Sequence, residues 1–195
     1  MIIWLNGAFG AGKTTCAFEL HRRLPDSFVY DPENIGYFIR RNTPRLLHEP
    51  DFQDHPLWRS FNYEMLAWLA RDYPGTIIVP MTVVDRRYYD AIIARLRADG
   101  LEVKAFILYA DKEVIMKRLN KRAKFGETWA KAQVDRCLEA FNTVIPDEKI
   151  VTDRKPVDSV VEEIAARSGL RLPPDNRSRL KKQTDRLLTL FRHIR

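Results

Sequence analysis

Residues 2–24 read IIWLNGAFGAGKTTCAFELHRRL, and this stretch decides the fold. Ile2–Leu5 is a short apolar run of the kind that forms a buried strand. Cys16, Leu20 and Leu24 then recur at four-residue steps, the period of a helix with one core-facing stripe. Between the two, Gly7 to Thr14 spell GAFGAGKT, a match to G-x-x-x-x-G-K-[ST] lying between strand and helix, as that motif requires. With Gly near 7% of average composition, a chance match in a chain this long is on the order of one in a hundred.

The spacing has a physical cause. Glycines let the backbone turn so that successive N–H groups, together with the N-terminus of the following helix, point at one phosphate. Gly7, Ala8, Phe9, Gly10, Ala11, Gly12, Lys13, Thr14 and Thr15 are therefore the candidate nucleotide-binding residues. Lys13 is expected to reach the β- and γ-phosphates of ATP, and the Thr14 hydroxyl to ligate Mg²⁺.

Working outward, short apolar runs alternate with helical periods, which predicts an α/β fold. The expected form is a three-layer P-loop kinase fold: a five-stranded, mostly parallel sheet with helices on both faces, a helical lid and a C-terminal amphipathic helix. Candidate strands are Ile2–Leu5, Phe28–Tyr30, Thr76–Pro80, Lys104–Leu108 and a weaker one at Lys149–Val151. The stripe Trp58/Phe61/Met65/Trp68/Leu69 predicts one core-facing helix and Tyr89/Ile92/Ile93/Leu96 another. Gly75 and Gly100 stand where those helices should end on a C′ glycine. The segment 111–142, broken at Gly126, is the expected lid. Leu172-Pro173-Pro174 then interrupts the pattern, dividing a kinase-like domain, 1–174, from a basic helix, 175–195.

Composition narrows the class. The 195 residues are 45% hydrophobic and 11% aromatic, too apolar for a disordered chain and enough for one ordinary domain. Cys16 and Cys137 form no CxxC pair, which excludes a disulfide framework and the usual zinc spacings and makes a cytoplasmic setting the expectation. MIIWLNG lacks the charged start of a signal peptide, and no apolar run approaches the roughly 20 residues of a membrane span. Of the net charge of +7, residues 175–195 hold +5, from seven Lys/Arg against two Asp. The excess belongs to the tail, so no nucleic acid partner is expected.

Nucleotide binding leaves the reaction open. The string at Asn120–Ala123, NKRA, lacks the Asp of a GTPase base reader, and no LSGGQ-like transporter string is present. Small size and a basic segment two-thirds along favour a small-molecule kinase. Asp31, just past the second strand, is placed to take a proton from an acceptor hydroxyl or to hold Mg²⁺. The competing reading is an N-cap followed by Pro32 at the first helical position. Glu33, Arg40 and Arg41 follow where an acceptor pocket would open. Arg118 and Arg122, at i and i+4, form a candidate clamp on the transferring phosphoryl group; the alternative is a solvated helix face. His21, His48, His55 and His193 show no ligand spacing, and Asp111 reads best as a helix cap.

The strings MIIWLNGAFGAGKTTCAFELHRRL, VYDPENIG, DFQDHPLWRSFNYEML, IIVPMTVV, AQVDRCLEA and DRLLTLFRHIR together resemble the tunicamycin resistance protein family of bacteria. The likeness spans nearly the whole length, and its motif positions fall on Gly7, Gly10, Gly12, Lys13 and Thr14. It implies an ATP-binding protein of nucleoside-kinase-like fold that protects against tunicamycin, a nucleoside antibiotic carrying uracil, amino sugars and a fatty acyl chain. Phosphorylation of the drug and ATP-dependent sequestration or export at the membrane both fit that role. In the tail, Leu180, Leu187, Leu188, Phe191 and Ile194 recur at helical steps among seven Lys/Arg. Such a helix packs its apolar face on the domain or lies in a membrane interface.

Overall fold

The computed structural model describes residues 1–122 and 127–193, the side chains of 122, 127, 128 and 191–193 excepted. Five parallel strands form one sheet in the order β2-β3-β1-β4-β5. They are β1 (Ile2–Gly7), β2 (Ser27–Val29), β3 (Thr76–Pro80), β4 (Val103–Tyr109) and β5 (Glu148–Val151). The central strand, β1, is buried throughout, and its side chains alternate between two cores. Ile2 and Trp4 enter one core, Ile3 and Leu5 the other. Registers Trp4↔Val79 and Trp4↔Ala105 fix β1 between its neighbours.

Helix α1 (Lys13–Arg23) and helix α9 (Val157–Arg167) cover one face through Cys16, Leu20, Val160 and Ile164. The other face carries α2 (Glu33–Asn42), α3 (Pro56–Asp72), α4 (Arg86–Tyr89), a π-helical stretch (Asp90–Ala94) and α5 (Arg95–Ala98). Helices α6 (Lys112–Arg122), α7 (Glu127–Ala132) and α8 (Val134–Thr143) complete that layer. Gly126 lies outside the described residues. The anticipated doubly covered parallel sheet is the one found, and β1 crosses over to β2 while β3 crosses back to β4, leaving a crevice at the carboxyl ends of the strands.

Three expectations change. On α3 the buried face is Trp58, Asn62, Tyr63, Leu66 and Ala67, whereas Phe61, Met65 and Trp68 are exposed, Trp68 by 54%. The polar Asn62 holds the inward position because its amide donates to Trp58 O at 2.8 Å and its oxygen accepts from Tyr30 Oη at 2.8 Å. A pattern of apolar spacing misses such a satisfied buried amide. Trp58 is fully buried, with Nε1 donating to Pro32 O at 3.0 Å, so removing its ring would cost about 3–5 kcal/mol.

Gly75 is not a left-handed helix cap. A Cβ there would stand 1.7 Å from Asp26 O, so close backbone approach is what demands glycine. Gly100, at φ +77°, does follow α5 as expected.

The third change concerns α10 (Arg179–His193), which packs along α1 through its charged side. Arg177, just before it, donates to Glu19 at 2.7 Å, and Arg186 reaches the same carboxylate at 3.3 Å and Asp158 at 2.5 Å. Lys182 pairs with Asp175 at 3.0 Å. Leu180, Leu187 and Leu188 face outward. Leu180, Leu187 and Leu188 of the apolar stripe are therefore not what docks, the side chains of Phe191 and Ile194 lying outside the described residues: burying Glu19 on α1, only 1% exposed, requires cationic partners, and these fix which side of α10 turns inward.

Candidate functional site

The loop after β1 is held from three sides. Gly7 has φ +144°, and a Cβ on it would come within 2.6 Å of Leu108 O, so the chain passes too close to β4 for any side chain. Gly12, at φ +102°, is the opposite case: a Cβ there would meet nothing within 4 Å, and the loop is open on that side. This concavity at the start of α1 collects backbone N–H groups and the positive end of the helix dipole, the environment a phosphate requires.

Lys13 Nζ donates to Gly7 O at 2.9 Å and to Ala8 O at 3.1 Å, arched back over its own loop and 5.4 Å from the Phe9 ring centroid. Phe9 in turn meets Trp129 of α7 edge-on, with ring centroids 5.0 Å apart. Leu119 of α6 packs where a Gly10 side chain would stand. The loop's outer wall is thus built by the helices of the 111–142 segment. Ala11 and Thr15 are buried, and Thr15 belongs to the packed side of α1.

Thr14 and Asp31 share one cavity of about 50 Å³ with Phe18, Val29, Glu33 and Pro80. The sequence placed these two residues 17 positions apart; parallel pairing of β2 beside β3 brings them together at the strand ends. Asp31 Oδ1 accepts from Glu33 N at 3.0 Å, so the carboxylate also serves as a cap for the start of α2. Both readings of Asp31 are compatible, since a carboxylate has acceptor capacity beyond one bond. A hydroxyl and two carboxylates around a small cavity form a hard oxygen donor set suited to Mg²⁺, and the open Gly12 side suits a phosphate chain.

Of the remaining sequence candidates, Arg40 donates to Glu49 O at 3.1 Å and Pro50 O at 2.9 Å and lies over the Phe52 ring, pinning the segment after α2. Arg41 points elsewhere: with Asn34, Tyr37, Phe38 and Asn42 it lines an open groove of about 600 Å³ along α2. Arg118 donates to Thr152 O at 2.7 Å and Thr152 Oγ1 at 3.1 Å, at the turn after β5. The side chain of Arg122 lies outside the described residues. Asp111 has its N–H bonded to Asp153 Oδ1 at 2.9 Å. Cys16 is buried and its thiol is pushed up to about 12 by that burial, leaving it chemically inert.

Sequence reasoning missed the buried polar supports. Asn6 clamps the turn after β3, donating to Val83 O at 2.8 Å and accepting from Val83 N and Gly7 N, each at 2.9 Å. Thr82 Oγ1 donates to Gly7 O at 2.9 Å. An Asn inside an apolar strand directly before the glycine loop was the available signal. Also missed was a charged rim. Burial raises the Asp51 carboxyl, and Asp54 adds to it, against the Gln53 N–H and the charges of Arg136 and Arg40. Asp85 is held low by its hydrogen bonds from Arg87, and Arg136 acts on it too. The field of Arg136 on α8 therefore spans both the 51–54 segment and the start of α4.

A family model described as an AAA domain matches residues 2–144. The structure of the Deinococcus radiodurans tunicamycin resistance protein superposes with a TM-score of 0.71 at 33% identity, covering 89% of this chain and 99% of that one. The chain is an AAA-domain protein of the tunicamycin resistance family. Its loop, its shared Thr14–Asp31 cavity and its five-stranded order are this family member's version of the P-loop kinase-like fold. Among curated relatives, the adenylyl-sulfate kinase of Aeromonas hydrophila subsp. hydrophila is 25% identical over 88% of this chain and 86% of its own length. The shikimate kinase from Bacteroides thetaiotaomicron shares the fold, with a TM-score of 0.61 and 19% identity over 87% of this chain and 99% of that one. Among the described residues, no helix is long and apolar enough to cross a membrane.

Proposed function

We propose that this tunicamycin resistance family protein transfers the γ-phosphoryl group of ATP to a hydroxyl of a nucleoside-like antibiotic such as tunicamycin, on the cytoplasmic side of the membrane. The observation that carries this reading is the single cavity joining Thr14 of the phosphate loop to Asp31 and Glu33 at the head of α2. Gly7–Thr15 would cradle the phosphates with backbone N–H groups, and Lys13 would exchange its two loop carbonyls for phosphate oxygens. Thr14 and Asp31 would hold Mg²⁺, which when bound neutralises developing charge on the phosphates. Asp31 would also accept the proton of the attacking hydroxyl, with Glu33, which lines the same cavity, on the acceptor side. Arg118 and Arg122 are the proposed cations for the equatorial oxygens, which requires Arg118 to leave Thr152. Arg41 would line the acceptor side, and Arg40 would brace it by holding the carbonyls of Glu49 and Pro50.

Mass spectrometry of tunicamycin incubated with protein, ATP and Mg²⁺ tests the proposal. A mass gain of one phosphoryl group is expected; unchanged drug beside intact ATP binding would overturn it. A second reading, sequestration of the drug at the membrane without transfer, is favoured by the outward Leu180, Leu187 and Leu188 of α10 flanked by exposed Arg179 and Lys181. Sedimentation with anionic vesicles separates the two when the chain is compared with its Leu180→Ser, Leu187→Ser, Leu188→Ser variant, which keeps the ion pairs to Glu19. Binding that needs these leucines, with unmodified drug, would favour sequestration.

A further inference from the structure

The cavity that joins Thr14 to Asp31 ends at Glu33, and α2 continues away from it. Five side chains of this one helix, Asn34, Tyr37, Phe38, Arg41 and Asn42, line the open groove of about 600 Å³. They lie at i, i+3, i+4, i+7 and i+8, one continuous stripe. Tyr37 Oη, on the groove, donates to Glu33 Oε2, on the cavity, at 3.5 Å. Tyr37 and Phe38 are one helical turn beyond Glu33, about 6 Å along the axis at 1.5 Å per residue.

We infer that the groove along α2 binds the nucleobase of the acceptor, with Phe38 and Tyr37 as the stacking surface and Asn34 and Asn42 along the base's polar edge. The inference rests on the phosphoryl-transfer reading only for its direction: a sugar hydroxyl in the Thr14–Asp31 cavity puts the attached base one turn further along α2. The chemistry of the lining selects this occupant. Phe38 is 55% exposed on a helix whose isoleucines turn inward, Ile39 buried and Ile35 partly buried against the core, so its ring is presented to solvent. An exposed aromatic face stacks on a base of any sequence, and a carboxamide carries both donor and acceptor atoms for a heterocyclic edge, Asn42 Nδ2 already giving one N–H to Phe38 O at 2.8 Å. Among the described residues the lining holds one cation, Arg41, and no carboxylate, which disfavours a basic ligand and suits a neutral or electron-rich ring.

The test measures binding rather than turnover, with tunicamycin and uridine as probes in calorimetry on the full chain. Phe38 is exposed, so Phe38→Ala leaves the core intact, and an unchanged melting temperature and ATP affinity would verify this. The variant is expected to lose about tenfold or more in affinity for both probes, the scale of one lost base–aromatic stack, and Phe38→Tyr to restore it. Wild-type affinity for tunicamycin in Phe38→Ala, or absence of tunicamycin binding to the unmodified protein, would overturn the assignment. Loss of binding in Phe38→Ala together with unphosphorylated drug in the wild type would keep the base site and remove the transfer reaction.

Discussion

Asn6 and Val83 exchange two hydrogen bonds, amide to carbonyl at 2.8 Å and N–H to amide oxygen at 2.9 Å, across the seam between the phosphate-loop strand and the turn after β3. The pair mimics one further step of sheet pairing where β1 has already turned into the loop. Asn6→Ala would leave Val83 N, Val83 O and Gly7 N buried without partners. A loss of at least about 2 kcal/mol is expected, lowering Tm by about 4–8 °C, with weaker nucleotide binding because Gly7 shifts. Thermal melting checks it; an unchanged Tm would show that the clamp is dispensable.

Lys13→Ala removes the cation arched over Gly7 and Ala8. Since the lysine is on the open side of the loop and only half-buried, the fold should persist while ATP affinity falls by tenfold or more, on the order of one charge-assisted contact. Titration calorimetry gives the answer, and affinity equal to wild type would sink the site assignment.

Asp31→Asn separates chemistry from capping. Asparagine keeps the cap, accepting from Glu33 N as Asp31 does. Stability should therefore change little, whereas transfer should drop by the roughly 10² to 10⁴ that a positioned base supplies. A variant that melts lower and still turns over at the wild-type rate would make Asp31 a structural residue.

Arg40 and Arg41 are neighbours with different jobs. Arg40→Ala should destabilise the protein by about 1 kcal/mol through its lost bonds to the carbonyls of Glu49 and Pro50. Arg41→Ala should leave denaturant unfolding unchanged and weaken acceptor binding. The reverse pattern would move the acceptor site to the other side of α2.

The docking of α10 should be acid-labile. Asp175 is held low by its hydrogen bonds from Arg177, then Lys182, and Asp185 by those from Lys181, then Arg177. A carboxyl depressed in the folded state adds stability above its ordinary value near 3.9 and loses it as pH falls through the folded value. Hydrogen exchange over residues 179–193 should thus be unchanged from about pH 8 to about pH 5 and rise below about pH 4 once corrected for intrinsic rates. Equal protection at about pH 6 and about pH 2.5 would mean that the ion pairs are not what holds the helix.

The chemistry of the phosphate loop was legible because it is contiguous: Gly7 to Thr14 carry their own geometry. The strands were legible for a related reason, since β1, β3 and β4 are largely buried on both faces and read as short apolar runs, Lys104 at the start of β4 excepted. What stayed hidden depends on distant partners. Asn62 occupies a core position because Tyr30, 32 residues earlier, supplies its hydrogen bond. The inward face of α10 is set by Glu19, whose burial no local pattern signals. Asp31 was identifiable as polar and near a strand end, but its shared cavity with Thr14 follows from which strand lies beside which.

The position of β1 also has a consequence for synthesis on the ribosome. Of the five strands this one is made first, yet both its partners come late: β3 begins at Thr76 and β4 ends at Tyr109. At about 5–20 residues per second, the nascent IIWL segment waits roughly 5–20 s for its second neighbour to be translated. Until β3 is made the strand has neither neighbour, and until β4 is made one of its edges stays without its native partner. Expression yield should therefore depend on translation speed across the codons between β1 and β4 and on chaperones that shield apolar strands, more than on the stability of the finished fold.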